Sequence, residues 1–198
     1  MISVYNIKPK FQQLLKPILE KLYQWGVTAN QITVVAIILS GILGFTLWNV
    51  QDFSLALIIV PLGLLVRMAL NALDGMMARN YNMQSKTGEI LNEFGDVISD
   101  TMIYFPLIKL NGVNPTVILG FVILGILNEF AGVLAKIISG TRRYDGPMGK
   151  SDRALLVGLV CLISYFWCPI QNYLSYIFAF AILLLIISTY TRLKRALK

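Results

Sequence analysis

The sequence contains no histidine and only two cysteines among 198 residues. Without imidazole, histidine-based triads and zinc sites that require that ring are excluded. Cys161 and Cys168 are seven apart on what is expected to be one helix. That spacing corresponds to about 10.5 Å of rise, too far for a disulfide, so both are expected to be apolar filler. Charge is scarce as well: 14% of the residues are charged, against about 25% in an ordinary soluble domain. Residues 1–9 lack the apolar stretch and cleavage site of a secretory signal, so the later apolar segments are expected to serve as targeting information themselves. No internal repeat is visible, which disfavours an inverted-repeat transporter.

What fills the chain instead is apolar, at 57% of residues with a mean hydropathy of +0.70. Runs such as 32–48, 55–68 and 173–188 suit a bilayer core of about 30 Å at 1.5 Å rise per residue. The expected fold is an all-α membrane protein with six spans, near 31–50, 55–79, 87–109, 114–139, 152–168 and 171–191. A single domain over 30–198 would follow a surface segment over 1–29. Of the 17 basic residues, all but Lys109 and Arg67 fall on one side of those spans. The positive-inside rule then makes both termini cytoplasmic. The net charge of +7 accordingly reflects topology and attraction to anionic membrane lipid, not nucleic-acid binding. Compactness favours a bacterial inner (cytoplasmic) membrane.

Before the first span, Phe11, Leu14, Leu15, Ile18, Leu19 and Leu22 recur at helical spacing, with Lys10, Gln13, Lys16, Glu20 and Lys21 on the other arc. This predicts an amphipathic helix lying on the cytoplasmic leaflet, or else packed against the bundle. Gly26 is expected to end it, and Asn30 to cap the first span. The cytoplasmic connections 80–86 and 140–151 are polar, basic and glycine-bearing, where binding functions concentrate.

Asp74, Glu89, Glu93, Asp96, Asp100 and Glu129 fall within the predicted spans. Ionisable groups there cost a few kcal/mol or more and mark functional positions by default. Asn71 and Asp74 share a face at i, i+3, and Asn92, Asp96 and Asp100 follow at i, i+4, i+8. At 100° per residue, Glu89, Glu93, Asp96 and Asp100 lie within an arc of about 60°. Arg67 lies on the Asn71/Asp74 face and, in antiparallel neighbours, at about the depth of Asp100. An intramembrane Arg67–Asp100 ion pair with a structural role is therefore expected, and Arg67→Ala should damage folding more than metal dependence.

The run Asp74-Gly75-x-x-Ala78-Arg79, eight residues, then Gly88-x-x-x-Asn92-x-x-x-Asp96 resembles the signature of CDP-alcohol phosphatidyltransferases. That family's pattern is DxxDGxxAR, eight residues, then GxxxDxxxD, on the second and third of six transmembrane helices. Thr28-Ala29-Asn30-x-Ile32-Thr33 resembles the family's TPNxxT, with alanine for proline, and Gly149-Lys150 resembles the lysine placed near the donor phosphates.

The resemblance implies transfer of a phosphatidyl group from a CDP-linked donor, most simply CDP-diacylglycerol, to a small alcohol or phospholipid acceptor with release of CMP. It implies Asp96 as general base and Asn71, Asp74, Asn92 and Asp96 as ligands of Mg²⁺ or Mn²⁺, hard cations that take oxygen donors. Asp74, Gly75, Ala78, Arg79 and Gly88 would face the nucleotide, the small residues letting it approach the backbone. Lys86, Arg142, Arg143, Lys150 and Arg153 would offer positive charge to phosphate oxygens. Glu129, level with the site by its depth in the fourth span, is expected either to help select the acceptor or to hydrogen-bond within the bundle. A homodimer is implied too. Asn71 and Asn92 depart from the pattern, leaving two formal negatives where the family has four, so a single tightly held divalent ion is expected. Two alternatives stay open: a CDP-alcohol:diacylglycerol phosphotransferase, and a catalytically weakened relative that binds nucleotide-lipid without turnover.

Overall fold

The computed structural model describes residues 8–197, with side chains from Phe11 onward. The side chains of Lys8 and Lys10, and all of Lys198, lie outside the described residues. The described chain is helical throughout, in seven α-helices: α1 (Lys8–Gln24), α2 (Ala29–Trp48), α3 (Ala56–Asn80), α4 (Lys86–Tyr104), α5 (Pro115–Ser139), α6 (Lys150–Phe166) and α7 (Leu174–Ala196). Four segments are long and apolar enough to cross a membrane: Ala29–Trp48, Ala56–Asn80, Pro115–Ser139 and Cys168–Ala196. Helices α4 and α6, taken as spans from sequence, fall outside that set. The first carries Lys86, Glu89, Glu93, Asp96 and Asp100, and the second is short and opens on Lys150, Asp152 and Arg153.

Local chemistry sets the boundaries. Thr28, not Asn30, caps α2: its hydroxyl accepts from the Gln31 amide at 3.3 Å while the Gln31 side chain accepts from the Thr28 amide at 2.9 Å. Asn30 lies inside the helix and is free to pack elsewhere. Ser85 caps α4, Asn114 caps α5, and Asp152 accepts the Gly149 amide at the start of α6. The predicted third span is α-helical only to Tyr104. Pro106 has no amide to donate, and Phe105–Lys109 continues as a 3₁₀ turn. Another 3₁₀ segment, Cys168–Tyr173, precedes α7, so Cys161 and Cys168 are not on one helix; the first is buried on α6 and the second exposed.

Helix α2 packs between α3 and α4, α3 also packs on α6, and α5 packs on α7. Leu43, Leu64, Ile103, Phe121 and Phe178 belong to the main apolar core. Helix α1 lays Leu15 and Leu19 on Leu73, Met76 and Met77 of α3, while Leu14 and Ile18 face outward. The amphipathic helix thus has two apolar flanks, one docked on the bundle and one free. Tyr23 stacks on Tyr81 at 3.7 Å between ring centroids, closing the α1–α3 corner.

The α2–α4 contact depends on small residues, the usual device of helix packing in lipid. A Cβ at Gly44 would collide with the backbone carbonyl of Met102, and one at Gly95 would press on Ile37 and Thr33. Backbone cannot rotate away as a side chain can. Gly44→Ala is therefore expected to cost about 1–3 kcal/mol and to lower the unfolding temperature in detergent. An unchanged transition would show that α2 and α4 separate freely.

Candidate active site

The end of α3, the start of α4 and the start of α2 converge. Asp74 is buried, and Thr33 Oγ1 donates to its Oδ2 at 2.9 Å. That contact fixes the orientation of the carboxylate. Gly88 faces Asn30: a Cβ there would stand 2.7 Å from Asn30 Oδ1 and 3.0 Å from Ser85 Oγ. Arg79 folds back over Gly75, so a Cβ at Gly75 would meet Arg79 Nη1 at 3.2 Å. The small residues of the motif therefore leave room for an asparagine and a guanidinium supplied by the chain itself.

On the facing side of α4, Asp96 is ion-paired with Lys150, the first residue of α6. Asp74 and Asp96 are near enough to repel each other, and Lys150 offsets both. Asn71 and Asn92 are half-buried on the same two helices. Lys150 thus pairs directly with Asp96 and acts on Asp74 only at longer range. Lys86 and Arg79 are exposed beside them, at the α3–α4 turn.

Deeper in the bundle the acids and arginines form a continuous chain. Arg67 Nη2 donates to Asp100 Oδ1 at 2.7 Å. Arg153 Nη2 donates to Asp100 Oδ2 at 2.7 Å and to Glu129 Oε1 at 3.0 Å. Arg142 Nη2 donates to Glu129 Oε2 at 2.7 Å, and its Nη1 pairs with Glu93. Arg192 Nη1 lies 3.6 Å from Glu129 Oε1 and donates to the Asn128 carbonyl at 2.6 Å. Arg67, Arg153 and Arg192 are each at most 2% exposed, a depth at which charge survives only when paired. Burial works against the charge of Arg142, but Tyr144, Glu93 and Glu129 outweigh it and hold its pKa above the ordinary arginine value.

The structure therefore brings Arg67 to Asp100, Lys150 to Asp96, and Arg142 and Arg153 to Glu129. It leaves Arg143 apart from this network, its Nη2 directed at the Arg195 carbonyl 3.5 Å away. Glu93, the partner of Arg142, and Arg192, which approaches Glu129, have no assigned site role in the sequence reading. Arg192 was read as a topology signal only. A cue was present: Phe178, Ala181, Leu185, Ser188 and Arg192 make one stripe at helical spacing, so Arg192 continues an inward face.

The pattern of the CDP-alcohol phosphatidyltransferase family matches residues 26–190. The chain is 48% identical over 158 residues to the inner membrane protein YnbA of Escherichia coli (strain K12), covering 80% of this chain and 78% of that one. It is 34% identical over 100 residues, half of each chain, to the archaetidylinositol phosphate synthase of Pyrococcus horikoshii. The fold is similar to that of the phosphatidylinositol phosphate synthase of Mycobacterium tuberculosis crystallised with CDP-DAG bound. That likeness has a TM-score of 0.75 at 20% identity, over 93% of this chain and 94% of the other. A second structure of that synthase, in complex with manganese and citrate, superposes with the same score. With a family match running from before α2 into α7, and helices long and apolar enough to span a bilayer, this membrane protein belongs to the CDP-alcohol phosphatidyltransferase family.

Proposed function

We propose that the chain transfers a phosphatidyl group from CDP-diacylglycerol to an alcohol and releases CMP, in phospholipid synthesis. The observation that carries this reading is the meeting of Asp74 on α3, Asp96 on α4 and Lys150 on α6 at one end of the bundle. In this reading α4 and α6 complete six spans, both termini are cytoplasmic, and the site faces the cytoplasm of a bacterial inner membrane, where the nucleotide is made. The protein would act as a homodimer.

Asp96 accepts the proton of the acceptor hydroxyl. The oxygen then attacks the β-phosphorus of the donor, and the bond from that phosphorus to the CMP oxygen breaks. Lys150, released from Asp96 when the donor enters, is placed to take up charge on the phosphate oxygens. Arg79 and Lys86 flank the opening on the nucleotide side.

The donor set suits a hard divalent cation, since Asn71, Asp74, Asn92 and Asp96 present only oxygens as ligands. Lys150, paired with Asp96 and within electrostatic reach of Asp74, supports a place for positive charge there. Mg²⁺ or Mn²⁺ held by these four would neutralise the donor pyrophosphate and its leaving group. Two carboxylates balance one divalent ion, so a Mn²⁺ titration is expected to show one tight site; two tight sites would refute that count. Thr33→Val removes the hydrogen bond that orients Asp74 and is expected to weaken Mn²⁺ binding by about 10–100-fold. Unchanged affinity would mean that Asp74 needs no such support.

The direct test is CMP release by the reconstituted protein with CDP-diacylglycerol, Mn²⁺ or Mg²⁺ and a panel of alcohols. Metal-dependent release with one alcohol class supports the transferase. Donor binding without release favours the weakened relative, for which Asn71 and Asn92 are the motivating observation. Release only when a soluble CDP-alcohol is offered with diacylglycerol would reverse the roles of the lipid.

A further inference from the structure

Arg142 is the loop arginine within electrostatic reach of Asp96, and each of its terminal nitrogens already carries a carboxylate. Nη1 pairs with Glu93 on α4 and Nη2 donates to Glu129 on α5 at 2.7 Å. The ring of Tyr144 covers one face of the guanidinium, 4.9 Å from its central carbon. Behind it, Arg153 and Arg192 also converge on Glu129. Three arginines therefore gather around a carboxylate that belongs to the protein, and this carboxylate is 5% exposed. An arginine cluster of this kind is how a phosphate is ordinarily recognised, yet here a resident anion fills it.

The balance of charge and donors points the same way. Arg142 and Glu93 neutralise each other, as do Lys150 and Asp96. An acceptor approaching Asp96 passes between two internally compensated pairs. Each Nη keeps a second N–H beside its carboxylate, and the buried Nε–H has no partner. The second Nη hydrogens can donate to a neutral hydroxyl without breaking either ion pair. A phosphate monoester would bring nearly two negative charges against Glu93 and Glu129, which already pair with the same guanidinium.

We infer that Glu93 and Glu129 act as specificity residues: by neutralising Arg142 and setting two carboxylates beside it, they restrict the acceptor to an alcohol that bears no phosphate. The inference rests on the transferase reading for the word acceptor, but the ligand preference of Arg142 is measurable without turnover.

The test compares glycerol 3-phosphate, inorganic phosphate and glycerol as ligands of the full-length protein in detergent, by calorimetry. Glu93→Gln and Glu129→Gln each remove one negative charge from beside Arg142. Each is expected to bind glycerol 3-phosphate about tenfold or more tightly than the wild type, the scale of one charge-assisted hydrogen bond. Adding Arg142→Ala to Glu93→Gln should abolish the gain. Glu93 lies at the site's edge, so Glu93→Gln decides the matter even where Glu129→Gln fails to fold. No gain in Glu93→Gln, or tight binding of glycerol 3-phosphate by the wild type that Arg142→Ala removes, overturns the inference. In the turnover assay the wild type should release CMP with glycerol in preference to glycerol 3-phosphate, and the opposite preference also overturns it. Absence of CMP release with every alcohol refutes the transferase reading alone, because the binding comparison still reports on Arg142.

Discussion

Asp96→Asn is expected to lower metal-dependent CMP release by about 10²–10⁴-fold, the range associated with losing a general base. The substitution keeps the shape and one oxygen ligand of the side chain while removing its basicity. It also releases Lys150, whose partner in the structure is Asp96. The freed ammonium can still meet the donor phosphates, so donor binding should persist while turnover collapses. That split is what distinguishes a base from a mere ligand. If donor affinity and turnover fell together by the same factor, Asp96 would serve only as a ligand of the donor's metal and the proton would leave by another route. If turnover survived, the assignment of Asp96 would be wrong outright.

The second large effect is expected at Arg153. This side chain is 1% exposed and bridges Asp100 and Glu129, so one guanidinium serves two buried carboxylates. Removing one member of a buried pair typically costs about 3–5 kcal/mol, because the remaining charge is stranded. Arg153→Ala is therefore expected to yield little folded, monodisperse protein on size-exclusion chromatography. Arg67→Ala should be milder, since Asp100 keeps Arg153 as a partner. Arg153→Lys retains the charge but not the planar fork, and should fall between alanine and wild type. If Arg153→Ala folded normally and only ligand affinity changed, Arg153 would belong to the binding site, the role the family resemblance implies.

The contrast between the two arginines shows where the sequence is informative. Arg67 and Asp100 sit on consecutive antiparallel helices, so helical phase and depth suffice to pair them. The motif over α3 and α4 was readable for the same reason, with its spacing written along 23 consecutive residues from Asp74 to Asp96. Arg142 and Arg153 were different. Both flank a loop whose path is set by contacts with α7, where Ser188 and Arg192 donate to the Asp145 carbonyl. Periodicity assigns a residue to a face, but it does not say how a loop folds back, so these residues were read as phosphate ligands. Their carboxylate partners lie on α4 and α5, remote in sequence. The start of α2 shows a smaller effect: Thr28 and Asn30 both cap well, and only the reciprocal bond from Gln31 selects Thr28.

The chain of ion pairs has a mechanical consequence. Arg67, Asp100, Glu129, Arg153 and Arg192 come from five different helices, α3 to α7, and Thr33 joins α2 through Asp74, about two turns further along α3. The hydrogen bonds among them are intolerant of a shift of more than a fraction of an ångström. Six helices are thus tied together within a short zone at one end, as staves are by a hoop. Beyond that zone the contacts are mainly between apolar side chains, which have no fixed hydrogen-bond geometry to keep. A bilayer that thickens or thins will splay the open end of the barrel, while the hooped end, with Asp74 and Asp96 in it, keeps its dimensions.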